Sequence, residues 1–167
     1  MSKSSKIYLI LGSNLGNRVE NMRHAQTLIA EHIGKIKQVS RLYESQPWGK
    51  SSVAMQLDYL NQAIEVSTLL TPQNVLNQIL NIEKTMGRVR TDKNAPRLMD
   101  IDIALWGDEI IKMPDLIIPH PRLHERNFVL IPLMEIAGED IHPELQLPIE
   151  EIYFSCTDPL EVSIFED

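Results

Sequence analysis

The sequence has little of several features that would place it in particular protein classes. It has one cysteine, Cys156, so no internal disulfide can form, and no catalytic-cysteine signature surrounds it. A net charge of −7 argues against a broad nucleic-acid-binding surface, which would be basic. The first apolar run, "IYLIL" at residues 7–11, is too short for a signal peptide's hydrophobic region or a membrane span. We therefore expect a cytoplasmic protein with no nucleic-acid and no membrane partner.

The common phosphate-binding motifs are also absent. "LGSNLGN" at residues 11–17 does not match G-x-G-x-x-G, and the pair Gly34-Lys35 lacks the earlier glycine and the Ser/Thr of a P-loop. No repeat, low-complexity tract or long linker divides the chain. Hydrophobic residues make up 43% and charged residues 23%, as in ordinary globular proteins. We expect one domain over residues 1–167, with a sizeable core.

Residue periodicity predicts an α+β fold. Strands are expected at residues 7–11, 36–43, 59–67 and 96–106, from short apolar or alternating runs. One helix should begin at a capping box of Asn17 and Glu20 and end at Gly34. A second should begin with Thr71 as N-cap and Pro72 as first residue, and end at Gly87. The order βαββαβ is that of a ferredoxin-like core, a mainly antiparallel sheet with helices packed on it.

The remainder of the chain is predicted to form a C-terminal extension. It should contain a strand or two near residues 110–118, a short helix near residues 132–137 and a last turn from Pro148.

The fourth predicted strand, "PRLMDIDIALW", carries two acids. Alternation places Asp100 and Asp102 on one face, with Leu98, Ala104 and Trp106. Carboxylates about 6.6 Å apart repel by roughly 2–3 kcal/mol at an effective dielectric constant of 20. Water on a solvated sheet face could screen them. A magnesium site is the alternative, because hard oxygen ligands suit Mg²⁺ and could share the ion with a nucleotide's phosphates.

Two basic segments flank this strand. Residues 87–97, "GRVRTDKNAPR", set four cations against one acid, and arginine forks bind phosphate oxygens in a bidentate manner. Residues 119–128, "PHPRLHERNF", place prolines on both sides of His120, which restricts its backbone. A solvated loop and a turn histidine bonded to backbone are the alternatives. Cations beside carboxylates are nevertheless what a Mg²⁺–nucleotide complex requires.

Two further features could bind a ligand. Glu83 lies on a helical face with Leu76 and Leu80, where it could reach a ribose or adenine, or pair with an arginine. Trp48, Tyr59 and Asn61 combine aromatic surface with an amide, as suits a flat heterocycle, although strand aromatics also occur in cores.

These segments together resemble a known family, the 6-hydroxymethyl-7,8-dihydropterin pyrophosphokinases of folate biosynthesis. The matching pieces are "YLILGSN", "DYLNQAI", a glutamate followed by "GRVR", "PRLMDIDI" and "IPHPRLHERNFVLIPLMEIA", which occur in this order between residues 8 and 137. The resemblance implies transfer of pyrophosphate from ATP to the hydroxymethyl group of the pterin, with release of AMP. It also implies a ferredoxin-like core and two Mg²⁺ ions.

The resemblance implies a role for each matching residue. Asp100 and Asp102 would hold both ions, and Arg88 and Arg97 would be catalytic arginines on the phosphates. The ATP site would also include Glu83, Ile103, His120 and Arg126. Tyr59 and Phe128 would sandwich the pterin and Asn61 would bond its edge, beside a loop of Ser45, Gln46, Pro47 and Trp48. Asn94-Ala95 depart from the Trp-Gly of many members, and Trp48 from a smaller aliphatic residue.

Other functions are compatible with parts of this pattern. A nucleotidyltransferase or an ordinary kinase could use the same metal-binding acids, and a ferredoxin-like fold could be an RNA-binding or regulatory module. The acidic pI of about 5.2 weighs against RNA, and a regulatory module would not need two acids beside several arginines. We expect a monomer, with a dimer as the alternative.

Overall fold

The computed structural model describes residues 3–46, 58–87 and 98–166. Its strands are β1 Ser5–Ser13, β2 Gly34–Val39, β3 Tyr43–Ser45, β4 Tyr59–Thr68, β5 Asp100–Trp106, β6 Ile111–Met113, β7 Leu116–Ile118 and β8 Val162–Ile164. Its helices are α1 Arg18–His32, α2 Pro72–Thr85, α3 Asn127–Ala137 and α4 Ile149–Ser155, with a 3-10 turn at Leu123–Glu125. None of these helices is long and apolar enough to cross a membrane.

Six strands form one antiparallel sheet. The order is β5-β1-β4-β3-β8. Strand β2 pairs with the same edge of β4 as β3 does, but at the opposite end of β4. Since β1 and β2 both run antiparallel to β4 and flank it, α1 connects two parallel strands that are split by a third. The predicted α+β class with a mainly antiparallel sheet is confirmed. The short hairpin of β6 and β7 lies outside this sheet, in the predicted extension.

The predicted helix starts are found where the sequence places them. Asn17 Oδ1 accepts the Glu20 N–H at 3.2 Å, and Thr71 Oγ1 accepts the Asn74 N–H at 3.2 Å. Each bond satisfies one donor of a helix's first turn. Gly87 follows α2 with φ +94°, the left-handed conformation expected of a residue after a helix end.

Three boundaries were predicted wrongly. Gly34 does not end α1, which stops at His32, but begins β2. The predicted strand at 36–43 is two strands, because the Ser40 hydroxyl accepts the Ala63 N–H at 2.9 Å and so replaces regular main-chain pairing. Helix α3 begins at Asn127 and contains Pro132 in its interior. Burial of Val129, Leu130 and Leu133 offsets the hydrogen bond that Pro132 cannot make.

Helices cover both faces of the sheet. One face packs on α1 and α2 through a core that includes Leu9, Ile29, Ile64, Ile79 and Ile103. The opposite face packs on α3 and α4 through Tyr8, Ile10, Ala63, Leu130, Leu133 and Ile152. A strand between two such layers must direct apolar side chains to both sides, which explains the nearly continuous burial of β1.

A β-bulge in β5 changes which face its last residues occupy. Tyr8 pairs with Leu105 while Leu9 pairs with Ile103, so Ala104 is an extra residue in the ladder. Beyond the bulge the alternation is reversed, and Trp106 is buried in the α1–α2 core with Ile101 and Ile103. The expectation that Trp106 shares the face of Asp102 was therefore wrong.

Candidate active site

The two acids of β5 lie at the end of the sheet where the start of α3 also lies. Asp102 is opposite Ile10 and Asp100 is opposite Gly12 on β1. Because directly paired residues share a face, both carboxylates belong to the α3 side. Both residues are half-buried. The pair is thus desolvated in part but reachable by a ligand.

A row of paired residues connects Asp100 to a polar and aromatic wall. Asp100 pairs with Gly12, Gly12 pairs with Asn61, and Asn61 pairs with Tyr43. A Cβ at Gly12 would lie 3.4 Å from Cδ1 of Tyr59 and 3.6 Å from Oδ1 of Asn61. Glycine therefore leaves open space beside the half-buried Tyr59 ring. Sequence reasoning missed this role of Gly12, although a glycine ending an apolar strand signals close approach of another group.

Asn61 and Ser45 form the buried base of this wall. The Asn61 side chain is 2% exposed, and its Nδ2 donates to Ser45 Oγ at 2.7 Å, with Ser45 3% exposed. That bond fixes the orientation of the amide, since its nitrogen is engaged by the hydroxyl. Gln46 follows at the end of β3 and is exposed.

The start of α3 contributes Arg126 and Phe128. The Arg126 guanidinium carbon lies 5.6 Å from the centroid of the Phe128 ring, a cation–π distance. Burial and the Arg122 charge lower the pKa of Arg126, while the Asp102 and Asp100 carboxylates oppose that shift. Because an arginine side chain is not deprotonated in proteins, Arg126 is a cation, and it lies within the electrostatic reach of both acids.

His120 is held in a defined orientation beside the acids. Its backbone N–H donates to the Ala104 carbonyl at 3.1 Å, and its ring Nδ1 accepts the backbone N–H of Arg122 at 3.2 Å. Burial and the Arg126 charge lower the pKa of His120 to about 4, despite the opposing Asp100 charge. At neutral pH the ring is uncharged, and because Nδ1 is an acceptor its proton is on Nε2.

A cleft of about 360 Å³ lies between α2, β5 and the β6–β7 hairpin. Its apolar walls include Leu76, Ile79, Ile103, Leu116 and Ile117, and Asp102 and His120 also line it. An apolar cleft with a few polar groups on its lining suits a flat, mostly apolar ring attached to a polar group. Ile103 and His120, which the resemblance implies for an ATP site, both line this cleft, whereas the hairpin residues were not expected there.

Glu83 contacts the backbone of the acid-bearing strand. Its side chain is 3% exposed, and Oε2 accepts the Ile101 N–H at 2.8 Å, between the two aspartates. Strand β5 is an edge strand of the sheet, and the Glu83 carboxylate accepts a main-chain N–H of β5 that is not used in pairing with β1. Nothing in the sequence signalled this contact, and the expected contact of Glu83 with a nucleotide stays a prediction.

Four predicted site residues lie outside the described residues: Pro47, Trp48, Arg88 and Arg97. The basic segment at 87–97 is described only at Gly87.

The donor set near β5 suits one kind of metal site. Within residues 3–46, 58–87 and 98–166, no three or more His, Cys, Asp or Glu side chains form a group that could hold an ion. Two half-buried carboxylates instead fit Mg²⁺, which commonly takes one or two protein carboxylates and completes its shell with water and substrate phosphates.

Comparison with known proteins identifies the family. Residues 8–138 match the family model for 7,8-dihydro-6-hydroxymethylpterin-pyrophosphokinase (HPPK). Two bacterial proteins named 2-amino-4-hydroxy-6-hydroxymethyldihydropteridine pyrophosphokinase are similar to this chain. That of Aquifex aeolicus is 39% identical over 87% of this chain and 88% of its own length. That of Bacillus subtilis is 42% identical over 79% of this chain and 78% of its own length.

Longer proteins also match. The folic acid synthesis protein fol1 of Pneumocystis carinii is 39% identical over 91% of this chain, which spans 20% of that protein. A crystal structure of a triple mutant of Plasmodium falciparum HPPK-DHPS superposes with a TM-score of 0.76 at 20% identity. The superposition covers 92% of this chain and 44% of that one. This likeness supports the fold.

Proposed function

The chain belongs to the 7,8-dihydro-6-hydroxymethylpterin-pyrophosphokinase family, and from this premise we propose that it catalyses a Mg²⁺-dependent transfer of pyrophosphate from ATP. The acceptor is the hydroxymethyl group of 6-hydroxymethyl-7,8-dihydropterin. The acceptor oxygen bonds the β-phosphorus, AMP leaves, and the hydroxyl proton is released.

The bond that breaks joins the β-phosphorus to the oxygen it shares with the α-phosphate, and that oxygen leaves with AMP. Atoms and charge then balance between ATP plus the alcohol on one side and AMP, the pterin diphosphate and one proton on the other. Within the family, this is the step that prepares the pterin for later use in folate biosynthesis.

One observation carries the proposal. The row from Asp100 through Gly12 to Asn61 spans three adjacent strands, so a phosphate-binding group and an amide with an aromatic neighbour lie about two strand spacings apart, roughly 10 Å. A phosphoryl donor at one end and a flat acceptor at the other would meet between them. Holding both reactants in one geometry removes much of the entropic barrier of the reaction.

The nucleotide is proposed to bind across β5. The cleft beside Leu76, Ile103 and Leu116 would take the adenine, which directs the phosphates toward Asp102 and His120. The Nε2–H of neutral His120 would donate to the nucleotide, and the Arg126 cation would lie near its phosphate oxygens. Glu83, through its bond to Ile101, would keep β5 in place beside the bound nucleotide.

Asp100 and Asp102 are proposed to hold two Mg²⁺ ions together with the phosphates. When bound, these ions would neutralise phosphate charge and polarise the transferred group. Arg88 and Arg97, in the basic segment before β5, are proposed to bind the phosphates as well, because bidentate arginine contacts strengthen as charge moves in the transition state.

The acceptor is proposed to bind against the α3 face of the sheet. Tyr59 and Phe128 would stack on its two sides, and the buried Asn61 amide, oriented by Ser45, would recognise its edge. Gln46, Pro47 and Trp48 would complete the wall. We also propose that the protein acts in the cytoplasm, as a monomer.

The products distinguish this proposal from its rivals. The purified protein is incubated with Mg-ATP and 6-hydroxymethyl-7,8-dihydropterin, and the nucleotide released is identified by chromatography. AMP with a diphosphorylated pterin supports the proposal. ADP would indicate an ordinary kinase, inorganic pyrophosphate a nucleotidyltransferase, and no pterin-dependent turnover would contradict all three.

A further inference from the structure

The segment at residues 156–166, called the tail here, contacts two walls of the acceptor site. It follows α4 and lies beyond residues 8–138, the part of the chain that matches the family model. Its strand β8 pairs with β3, where Val162 is opposite Ser45 and Ile164 is opposite Tyr43. The Phe165 N–H donates to the Leu42 carbonyl at 2.9 Å and extends this attachment.

The other end of the tail is bonded to the start of α3. Asp158 Oδ2 accepts the Asn127 N–H at 2.8 Å, and the Asp158 carbonyl accepts the Asn127 side-chain Nδ2 at 3.2 Å. Asp158 Oδ1 also accepts the Leu160 N–H at 2.9 Å, which fixes the carboxylate in a local turn. Asn127 lies between Arg126 and Phe128, so Asp158 contacts the backbone that presents both.

This contact replaces a helix cap that α3 lacks. The N-cap residue Arg126 makes no side-chain cap hydrogen bond, whereas Asn17 and Thr71 cap α1 and α2. A carboxylate at a helix N-terminus satisfies a donor of the first turn and interacts favourably with the helix dipole. A charge-assisted bond is also stronger and more directional than a neutral one. Asp158 is therefore suited to fix the first turn of α3.

We propose that Asp158 is a positioning residue of the acceptor site, which it serves by holding the first turn of α3 and thereby the Phe128 ring opposite Tyr59. The assignment of the acceptor site rests on the proposed function. The nucleotide cleft lies between α2, β5 and the β6–β7 hairpin, and the contacts of Asp158 do not reach it. Of the residues proposed to bind the nucleotide, Arg126 alone adjoins Asn127, and it precedes the first turn of α3 that Asp158 holds. Loss of Asp158 should therefore weaken binding of the acceptor more than binding of ATP.

Three variants test this. Asp158→Ala removes both side-chain bonds, Asp158→Asn keeps a carbonyl oxygen that can accept one of them, and Glu161→Ala removes an exposed carboxylate from the same tail. For Asp158→Ala the KM for the acceptor should rise about tenfold, which corresponds to the loss of one charge-assisted hydrogen bond. The KM for ATP should change by less than about threefold. Asp158→Asn should lie between this variant and the unaltered protein, and Glu161→Ala should resemble the unaltered protein.

Hydrogen exchange gives a readout that does not need activity. Amides of residues 127–131 should exchange faster in Asp158→Ala, with the α1 and α2 amides unchanged. If Asp158→Ala does not fold, Asp158→Asn carries the same comparison. Equal rises in both KM values, or exchange and KM values equal to those of Glu161→Ala, would overturn the proposal. A wild-type protein without pyrophosphokinase activity would refute the proposed function instead, and faster exchange at α3 would still show that Asp158 holds this helix.

Discussion

At the scale of single residues, the candidate site consists of charged and polar groups that their neighbours hold in defined states. Asp100 and Asp102 are half-buried on one strand face, His120 is held by two backbone contacts, and Asn61 is oriented by Ser45. Such groups are prepared for a ligand before it binds, which reduces the reorganisation that binding or catalysis requires.

The first prediction concerns the acids. Asp102→Asn should lower kcat for AMP release by about 100-fold or more, because it removes one of two carboxylates proposed to hold the metal ions. Without Mg²⁺ the variant should be at least as stable as the unaltered protein, since repulsion from Asp100 is relieved. Asp108→Asn, an exposed position in the turn after β5, is the control. Near-normal turnover of Asp102→Asn at saturating Mg²⁺ would contradict the proposal that Asp102 holds the metal ions.

The second prediction concerns pH. The pKa of His120 is lowered from its ordinary value of 6.5 to about 4, so the unfolded chain binds the proton more tightly than the folded protein. The contribution of neutral His120 to stability should therefore be complete above about pH 6.5 and be lost as the pH falls toward 4. Urea unfolding of the ligand-free protein and of His120→Gln at pH 7 and pH 5 measures it.

The unaltered protein should lose more unfolding free energy between these pH values than His120→Gln does. His142, whose pKa is also lowered by burial, is present in both proteins, so the difference isolates His120. Equal losses in the two proteins would show that His120 is not held neutral in the folded state.

At the scale of elements, close approach of backbones decides several boundaries. A Cβ at Gly34 would lie 2.2 Å from the Ser67 carbonyl oxygen, because β2 pairs tightly with β4 directly after α1. The glycine is therefore required by the contact between two strands, and not by a left-handed conformation at the end of a helix. The β4 strand it approaches carries Tyr59 and Asn61 at its other end.

The third prediction follows from this contact. Gly34→Ala should lower the free energy of unfolding by roughly 1–3 kcal/mol, because backbone atoms cannot move aside as a flexible side chain could. Gly12→Ala is the matched control in the same sheet, since its Cβ would meet nothing closer than 3.4 Å. Thermal and urea denaturation of the two variants give the comparison, and equal stability of both would contradict the packing argument.

At the scale of the whole molecule, strand β5 connects the two proposed binding regions. Its Ile103 side contributes to the α1–α2 core and the cleft, and its Asp100 and Asp102 side faces the α3 layer. A nucleotide bound around this edge strand would contact α2, β5 and the hairpin at once. Its binding should therefore stabilise the folded chain as a whole.

The fourth prediction tests this coupling. A non-hydrolysable ATP analogue with Mg²⁺, at 100 times its dissociation constant, should add about 2.7 kcal/mol to the free energy of unfolding. EDTA should abolish most of this gain, because it removes the Mg²⁺ ions that are proposed to link the phosphates to the acids. The same stabilisation in EDTA would show that the metal does not join the nucleotide to the protein. Asp102→Asn should reduce the gain, and Asp108→Asn should not.

Local patterns in the sequence were enough to predict much of the architecture. Capping residues such as Asn17 and Thr71 and the glycine at position 87 act within a few residues of themselves, so their spacing could be interpreted directly. The common face of Asp100 and Asp102 likewise follows from strand alternation alone. The resemblance to a known family rested on short motifs of this kind.

Only the tertiary structure decided how distant segments meet. The bulge at Ala104, the pairing of β8 with β3 and the bond from Asp158 to Asn127 join residues that no local period relates. The sheet is covered on both faces, by α1 and α2 on one side and by α3 and α4 on the other. This arrangement also depends on which apolar surfaces pack together. Periodicity in the sequence specifies which side of a helix or strand is apolar. Which other element buries that side depends on how the entire chain packs.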